Sequence, residues 1–236
     1  MERLFRSLRK TLVQVLHHRR YGLSSETPLS HSRRTYSYVS EMRKSAFEGN
    51  ILRLLRNEIQ YELEHSPPKQ QPVTKFGPFM VDDRAGEQWI KLKSKFGDED
   101  IKVEVSTFDG SAPAPKSGGG GGGADEEDMQ LHITFIVNIS KGESGRILEI
   151  MCSAWPDTIE IRRLVIRASN NTIVQPYAGP EFKELDDELQ DSLYDFLEAR
   201  GINDELAVFL HDYMKNKNKI ELIRWMGTVK SFIEKK

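Results

Sequence analysis

Leu131-His132-Ile133-Thr134-Phe135-Ile136-Val137-Asn138-Ile139 is the stretch that decides the fold class of this chain. Leu131, Ile133, Phe135, Val137 and Ile139 fall on one side of an extended backbone, while His132, Thr134 and Asn138 fall on the other. A period of two is that of a strand with one buried face. The same alternation continues outward in both directions. Ile101, Val103 and Val105 alternate with Lys102, Glu104 and Ser106, and Ile90, Leu92 and Phe96 oppose Lys91, Lys93 and Lys95. Downstream, Leu148, Ile150 and Cys152 share a face, and residues 159–168 read as a further strand. The links Gly97–Asp100, Lys141–Gly145 and Pro156-Asp157 are short and polar, as hairpins require. Parallel strands would need crossovers of about a dozen residues, usually helical. The pattern therefore predicts an antiparallel meander of about seven strands, one face apolar and the other wet or covered by another subunit.

One link differs from the rest. Residues 109–128 hold Ala112-Pro113-Ala114-Pro115, the glycine run Gly118–Gly123 and Asp125-Glu126-Glu127-Asp128. The run lacks the GxxxxGK[ST] pattern of a phosphate loop, and four acids beside it would repel a phosphate. The stretch is expected to be a disordered, Gly-rich acidic loop between two strands.

Helices flank the meander. Phe47, Ile51, Leu55, Ile59 and Leu63 recur every four residues and predict a helix over 41–65, stopped by Ser66-Pro67-Pro68. After Pro180, Leu185, Leu189, Leu193 and Leu197 form a second stripe, with Arg200 in the last turn and Gly201 as its left-handed cap. Asn203 is the expected cap of a third helix, with Asp204 and Glu205 at the positive end of its dipole. That helix is expected to be irregular around Lys215–Lys219, before its stripe resumes at Leu222, Met226, Val229 and Ile233.

The formal charge of −2 conceals three unlike regions. Residues 1–36 carry eight basic residues against Glu2 and Glu26, with Leu4, Leu8, Leu12 and Leu16 at helical spacing and many serines. This is the composition of a mitochondrial or plastid transit peptide, of which the mitochondrial reading is preferred, and Arg34-Thr35-Tyr36-Ser37 places its removal after Tyr36. The remainder, 37–236, is read as one domain. Within it, residues 98–128 and 181–198 each sum to −7, so the rest of that domain is basic by difference. No run approaches the ~18 consecutive apolar residues of a membrane-spanning helix, so no integral membrane association is expected. One cysteine, Cys152, excludes an intrachain disulfide and the cysteine-rich zinc sites.

Residues able to carry chemistry are sparse. His65, His132 and His211 lack the spacing of metal or catalytic pairs, and Cys152 is in phase with core positions. No catalytic residue, metal site or cofactor site is assigned. The densest feature is Glu184, Asp186, Asp187, Glu188, Asp191 and Asp195 on the second helix, either a recruiting surface or a solvated helix face. Lys91, Lys93 and Lys95, with Arg162, Arg163 and Arg167, offer an alternative route to RNA, but no aromatic RNA-binding signature accompanies them. Contact with RNA is therefore expected to be indirect.

The ending Leu193-Tyr194-Asp195-Phe196-Leu197-Glu198-Ala199-Arg200-Gly201-Ile202, with Trp225 and Val229-Lys230-Ser231-Phe232-Ile233, resembles the mitochondrial acidic matrix protein family, also called the mitochondrial glycoprotein family. The resemblance spans roughly residues 41–236. It implies an α+β fold, a twisted seven-stranded antiparallel sheet flanked by one N-terminal and two C-terminal helices. It also implies a doughnut-like homotrimer with an acidic face. The role implied is that of a non-enzymatic scaffold or chaperone of the mitochondrial matrix. Its partners would be basic proteins such as ribosomal proteins or assembly factors, in support of mitochondrial ribosome assembly, translation and oxidative phosphorylation. On this reading the six acids form the client-binding surface, and Trp225 and Phe232 anchor the trimer. The alternatives are a fixed structural subunit of one mitochondrial assembly, or a small-ligand carrier or enzyme using a pocket between sheet and helices.

Overall fold

The computed structural model describes residues 32–69, 73–113, 129–142, 145–168 and 177–235. Helix α1 (Ser32–His65) precedes seven strands: β1 (Lys75–Phe76), β2 (Phe79–Asp83), β3 (Ile90–Phe96), β4 (Glu99–Pro113), β5 (Met129–Lys141), β6 (Arg146–Ala154) and β7 (Ile159–Ala168). A 3-10 turn (Phe182–Glu184) then leads into α2 (Asp187–Glu198) and α3 (Asp204–Glu234). The strands form one sheet in sequence order, every neighbour antiparallel. The expected meander is thus what the chain builds.

Turn chemistry fixes the registers. Phe96 pairs with Glu99 across Gly97 and Asp98, and Gly97 has φ +60°, a left-handed value that a side chain would resist. The β4–β5 register slips twice, between Val105 and Phe108 and between Phe108 and Ser111, irregularities that sharpen the twist of a long hairpin. β4 also runs further than expected. Ala112 and Pro113 pair with Gln130 and Met129, so residues 109–113 belong to the strand and not to the loop. The remainder of that stretch, 114–128, lies outside the described residues, as does most of the basic leader.

The apolar face of the sheet is the core. Ile90, Leu92, Val103, Val105, Ile133, Phe135, Val137, Ile150 and Cys152 are all fully buried. Leu197, Ile202, Leu206, Ala207, Leu210 and Met214, from the end of α2 onward, lie in the same cluster. Each fully buried aliphatic or aromatic side chain contributes about 1.5–3 kcal/mol, so this layer dominates stability. Leu131 and Phe96, expected on the buried face, are 45% and 43% exposed because they sit at strand ends.

Two expectations about the helices need correction. α3 is continuous through Lys215–Lys219. Lys217 there is buried and bonds the Asp83 carboxylate, with the Arg84 carbonyl at 3.2 Å. The interruption of the apolar stripe is a buried ion pair and not a helix break. α1 begins at Ser32, nine residues earlier than expected and ahead of the cleavage point inferred at Tyr36. Its stripe is also not buried in the single chain: Phe47, Ile51 and Leu63 are exposed, and Leu55 and Ile59 half-buried.

The edge strand β7 has its outer amides occupied at its start. The backbone N–H of Ile159 donates to Asp204 Oδ1 at 3.0 Å, and that of Ile161 donates to Tyr194 Oη at 3.3 Å. Open edges invite strand addition, and here α2 and α3 cover this one.

Candidate functional site: an acidic helix and its neighbours

The acidic surface is held by an apolar underside. Phe182 is 2% exposed and meets Tyr194 edge-on, with ring centroids 5.5 Å apart, which pins the 3-10 turn to α2. Leu197 is buried and Leu193 half-buried on the inner side of α2. Asp186 caps the helix by accepting the Glu188 N–H at 3.1 Å. With that face turned inward, Glu184, Asp186, Asp187, Glu188, Asp191 and Asp195 are all exposed. None of the six forms a salt bridge among the described residues. The nearby cations are committed elsewhere: Lys183 reaches Glu160 at 2.8 Å, and Arg163 reaches Glu181 at 3.0 Å. Burial opposes the charge of Glu160, but hydrogen bonds from Lys183 and Trp155, with the Arg162 charge, outweigh it and hold its pKa below the ordinary carboxylate value.

The polar face of the sheet behaves differently. Lys93 pairs with Asp82 at 3.0 Å, Lys95 with Asp100 at 3.2 Å and Lys102 with Glu104 at 2.7 Å. Lys91 lies 3.8 Å from Glu104, and Arg167 lies 2.9 Å from Glu149. Arg162 faces Glu160 at 3.1 Å. Every cation considered for RNA contact lies within ion-pair reach of a carboxylate, supplied by the strands and by Glu181, although Glu104, Asp82 and Glu160 are each shared with a second cation.

The end of α2 joins helix to sheet. The Ile202 N–H bonds the Leu197 carbonyl at 3.0 Å and the Gly201 N–H bonds the Glu198 carbonyl at 2.8 Å, with Gly201 at φ +79°. A Cβ on Gly201 would stand 2.9 Å from Pro78 Cγ. Arg200 lies just beyond the helix and forks onto Glu99, Nε to Oε2 at 2.7 Å and Nη2 to Oε1 at 3.0 Å. Its guanidinium also lies over the Phe196 ring, 3.4 Å from the centroid. Arg200 and then burial, in opposite senses, dominate the Glu99 pKa, and Arg200 with Lys141 holds it below the ordinary value. Sequence reading placed Arg200 by position alone; its partner is 101 residues away.

The remaining reactive groups have structural partners. Cys152 is fully buried, and burial pushes its thiol pKa far up, away from the thiolate a nucleophile needs. His211 Nε2 lies 2.9 Å from the Ala154 carbonyl, and His132 stacks on Trp155. Among the described residues, no group of three or more His, Cys, Asp or Glu side chains is arranged to hold a metal ion, and no helix is long and apolar enough to cross a membrane. Trp225 and Phe232 are 61% and 80% exposed on α3.

Comparison with known proteins draws these observations together. Residues 55–233 match the mitochondrial glycoprotein family. The chain belongs to that family. A mitochondrial protein of Arabidopsis thaliana, itself uncharacterized, is 32% identical over 205 residues, covering 85% of this chain and 81% of its own. The mitochondrial acidic protein mam33 of Schizosaccharomyces pombe is 26% identical over 233 residues, covering 84% and 85%. Two solved structures share the fold: the Trypanosoma brucei p22 protein, with TM-score 0.64 and 19% identity, over 80% of this chain and all of that one, and a Leishmania major homologue of human p32, with TM-score 0.59 and 18% identity, over 79% and 99%. The stretch Leu193–Ile202, on which the resemblance in the sequence rests, now has a physical content. In this mitochondrial glycoprotein family member it supplies a cover for β7, a buried arginine clamp and a left-handed turn.

Proposed function

We propose that this protein is a non-enzymatic scaffold or chaperone of the mitochondrial matrix that captures basic polypeptides through the acidic face of α2. The observation that carries this reading is the contrast in charge pairing. Six carboxylates on α2 and the turn just before it stand exposed without an ion pair among the described residues, while Lys91, Lys93, Lys95 and Lys102 of the sheet each meet a carboxylate. Unpaired charge retains a field that steers and holds oppositely charged partners, and such binding weakens with salt. Ribosomal proteins and assembly factors are the clients proposed, which links the protein to mitochondrial ribosome assembly, translation and oxidative phosphorylation. The word acidic in the fission yeast relative's name supports the same chemistry.

A homotrimer belongs to this reading. Three copies of one weak surface bind a multivalent client with avidity that a single copy lacks. The exposed stripe of α1 and the rings of Trp225 and Phe232 are the apolar surface available for such an assembly. The Trp225→Ala/Phe232→Ala variant should give a smaller species by light scattering; an unchanged mass removes both as anchors.

The test of client capture is affinity capture with the immobilised full chain, eluted by a salt gradient. Many basic proteins leaving at moderate salt support the reading, particularly if a variant with the six acids replaced by amides releases them earlier. One stoichiometric partner that stays at high salt, with or without the acids, would make the protein a fixed subunit instead.

A further inference from the structure

Among the described residues, three cavities of 570, 900 and 370 Å³ each have lysine or arginine among their walls. A fourth, of 340 Å³, does not. It lies where the start of β7, the end of α2 and the start of α3 converge. Its floor is Ile159, Leu197 and Ile202, its wall is Tyr194, and its acids are Glu198, Asp204 and Glu205. The floor residues are at most 8% exposed, whereas Glu198 and Glu205 are exposed and Tyr194 is 36% exposed. One oxygen of Asp204 is spent on the Ile159 amide, so the carboxylates free to act are chiefly those of Glu198 and Glu205. Neither forms a salt bridge among the described residues.

Shape and charge here select one kind of occupant. The cavity, about 340 Å³ and open to solvent on one side, admits the end of one long side chain. An apolar floor suits a methylene stem, and a rim with two free carboxylates suits a cation at its tip. The Tyr194 ring offers a face for a planar cation, which favours arginine over lysine. The negative end of α2 adds little to the attraction, because Arg200 Nη1 donates to the Phe196 carbonyl there at 2.7 Å. The positive end of α3 opposes it, and Asp204 and Glu205 in its first turn offset that term.

We infer that this pocket, between β7, the end of α2 and the start of α3, is the anchor point for a single arginine side chain of a basic client, its stem on Ile202 and Leu197 and its guanidinium between Tyr194, Glu198 and Glu205. The inference rests on the client-capture reading and deepens it. Six acids along α2 supply long-range attraction, and the pocket supplies the one contact with shape.

The test compares equal charge removed at two places. The probe is a fluorescein-labelled peptide of alternating arginine and alanine, titrated by anisotropy against the full-length protein, with a lysine-for-arginine peptide beside it. Glu198→Gln/Glu205→Gln should weaken arginine-peptide binding by about tenfold, as the loss of two close charge contacts implies, and should abolish the preference over lysine. Asp187→Asn/Asp191→Asn should weaken both peptides about twofold and keep the preference. Unchanged thermal melting certifies that each variant is folded, and the single variants Glu198→Gln and Asp187→Asn replace the pairs if either is not. Equal losses in the two variants would mean a diffuse field, overturning the pocket and leaving client capture intact. No loss in either would overturn both.

Discussion

The polar face of the sheet and the outer face of α2 carry comparable densities of charge and use it in opposite ways. On the sheet, lysines at alternate positions meet carboxylates of the adjoining strands, as Lys93 meets Asp82 and Lys95 meets Asp100. On α2, the nearest cations turn away to Glu160 and Glu181, and the acids face solvent. A charge count along the chain cannot separate these cases. What matters for recruitment is how much charge the fold leaves uncompensated, and among the described residues the six acids on α2 and the turn before it are left without an ion pair.

Arg200 and Glu99 form the point where the two regions are joined, and breaking it should have the largest effect. Arg200→Met removes the bidentate partner of a carboxylate that is 3% exposed, leaving only Lys141 at 2.9 Å. A loss of about 3 kcal/mol is expected, read from the urea midpoint. The pH profile sharpens the test. Because the folded pKa of Glu99 lies below its ordinary 4.5, its contribution is present above that value and disappears as pH falls through the folded one. The wild-type midpoint should therefore fall in that acid window, and the Arg200→Met profile should be flatter there. An equally steep profile in the variant would assign the acid transition to other carboxylates.

Gly201→Ala should come next. It places a Cβ against Pro78 in a backbone conformation that alanine resists, at an expected cost of about 2 kcal/mol in thermal or urea unfolding. The smallest effect on stability is expected on the outer face of α2. Asp187→Asn/Asp191→Asn/Asp195→Asn should change unfolding by less than about 0.5 kcal/mol, since those carboxylates have no partner to lose. A marked stabilisation would show that the acids repel one another within the fold and are retained against that strain.

Local patterns in the sequence carry the sheet and the helix caps because both are decided by neighbours. Alternation set the faces of β5 and β6, Gly201 terminated α2, and Asn203 capped α3 through the Leu206 N–H at 3.2 Å. What escaped sequence reading depends on residues far apart. Lys217 resembled a flaw in an apolar stripe until Asp83 stood beside it, 134 positions away. The lysine stripe of β3 offered a route to RNA, but carboxylates of the adjoining strands pair with it. The exposed stripe of α1 has the spacing of a core helix, and periodicity alone says nothing about which surface it meets. The pocket at Tyr194, Glu198 and Glu205 needs β7 as its floor, which no spacing along the last two helices reveals.

The covering of β7 gives the acidic region a second duty. Tyr194 and Asp204 occupy amides that would otherwise offer a template for a foreign strand, and both residues also line the pocket. A lesion that lifts α2 from the sheet would do more than silence a binding surface. It would also open the first amides of an edge strand to pairing with another copy of the chain, so that loss of binding and edge-to-edge self-association would come together.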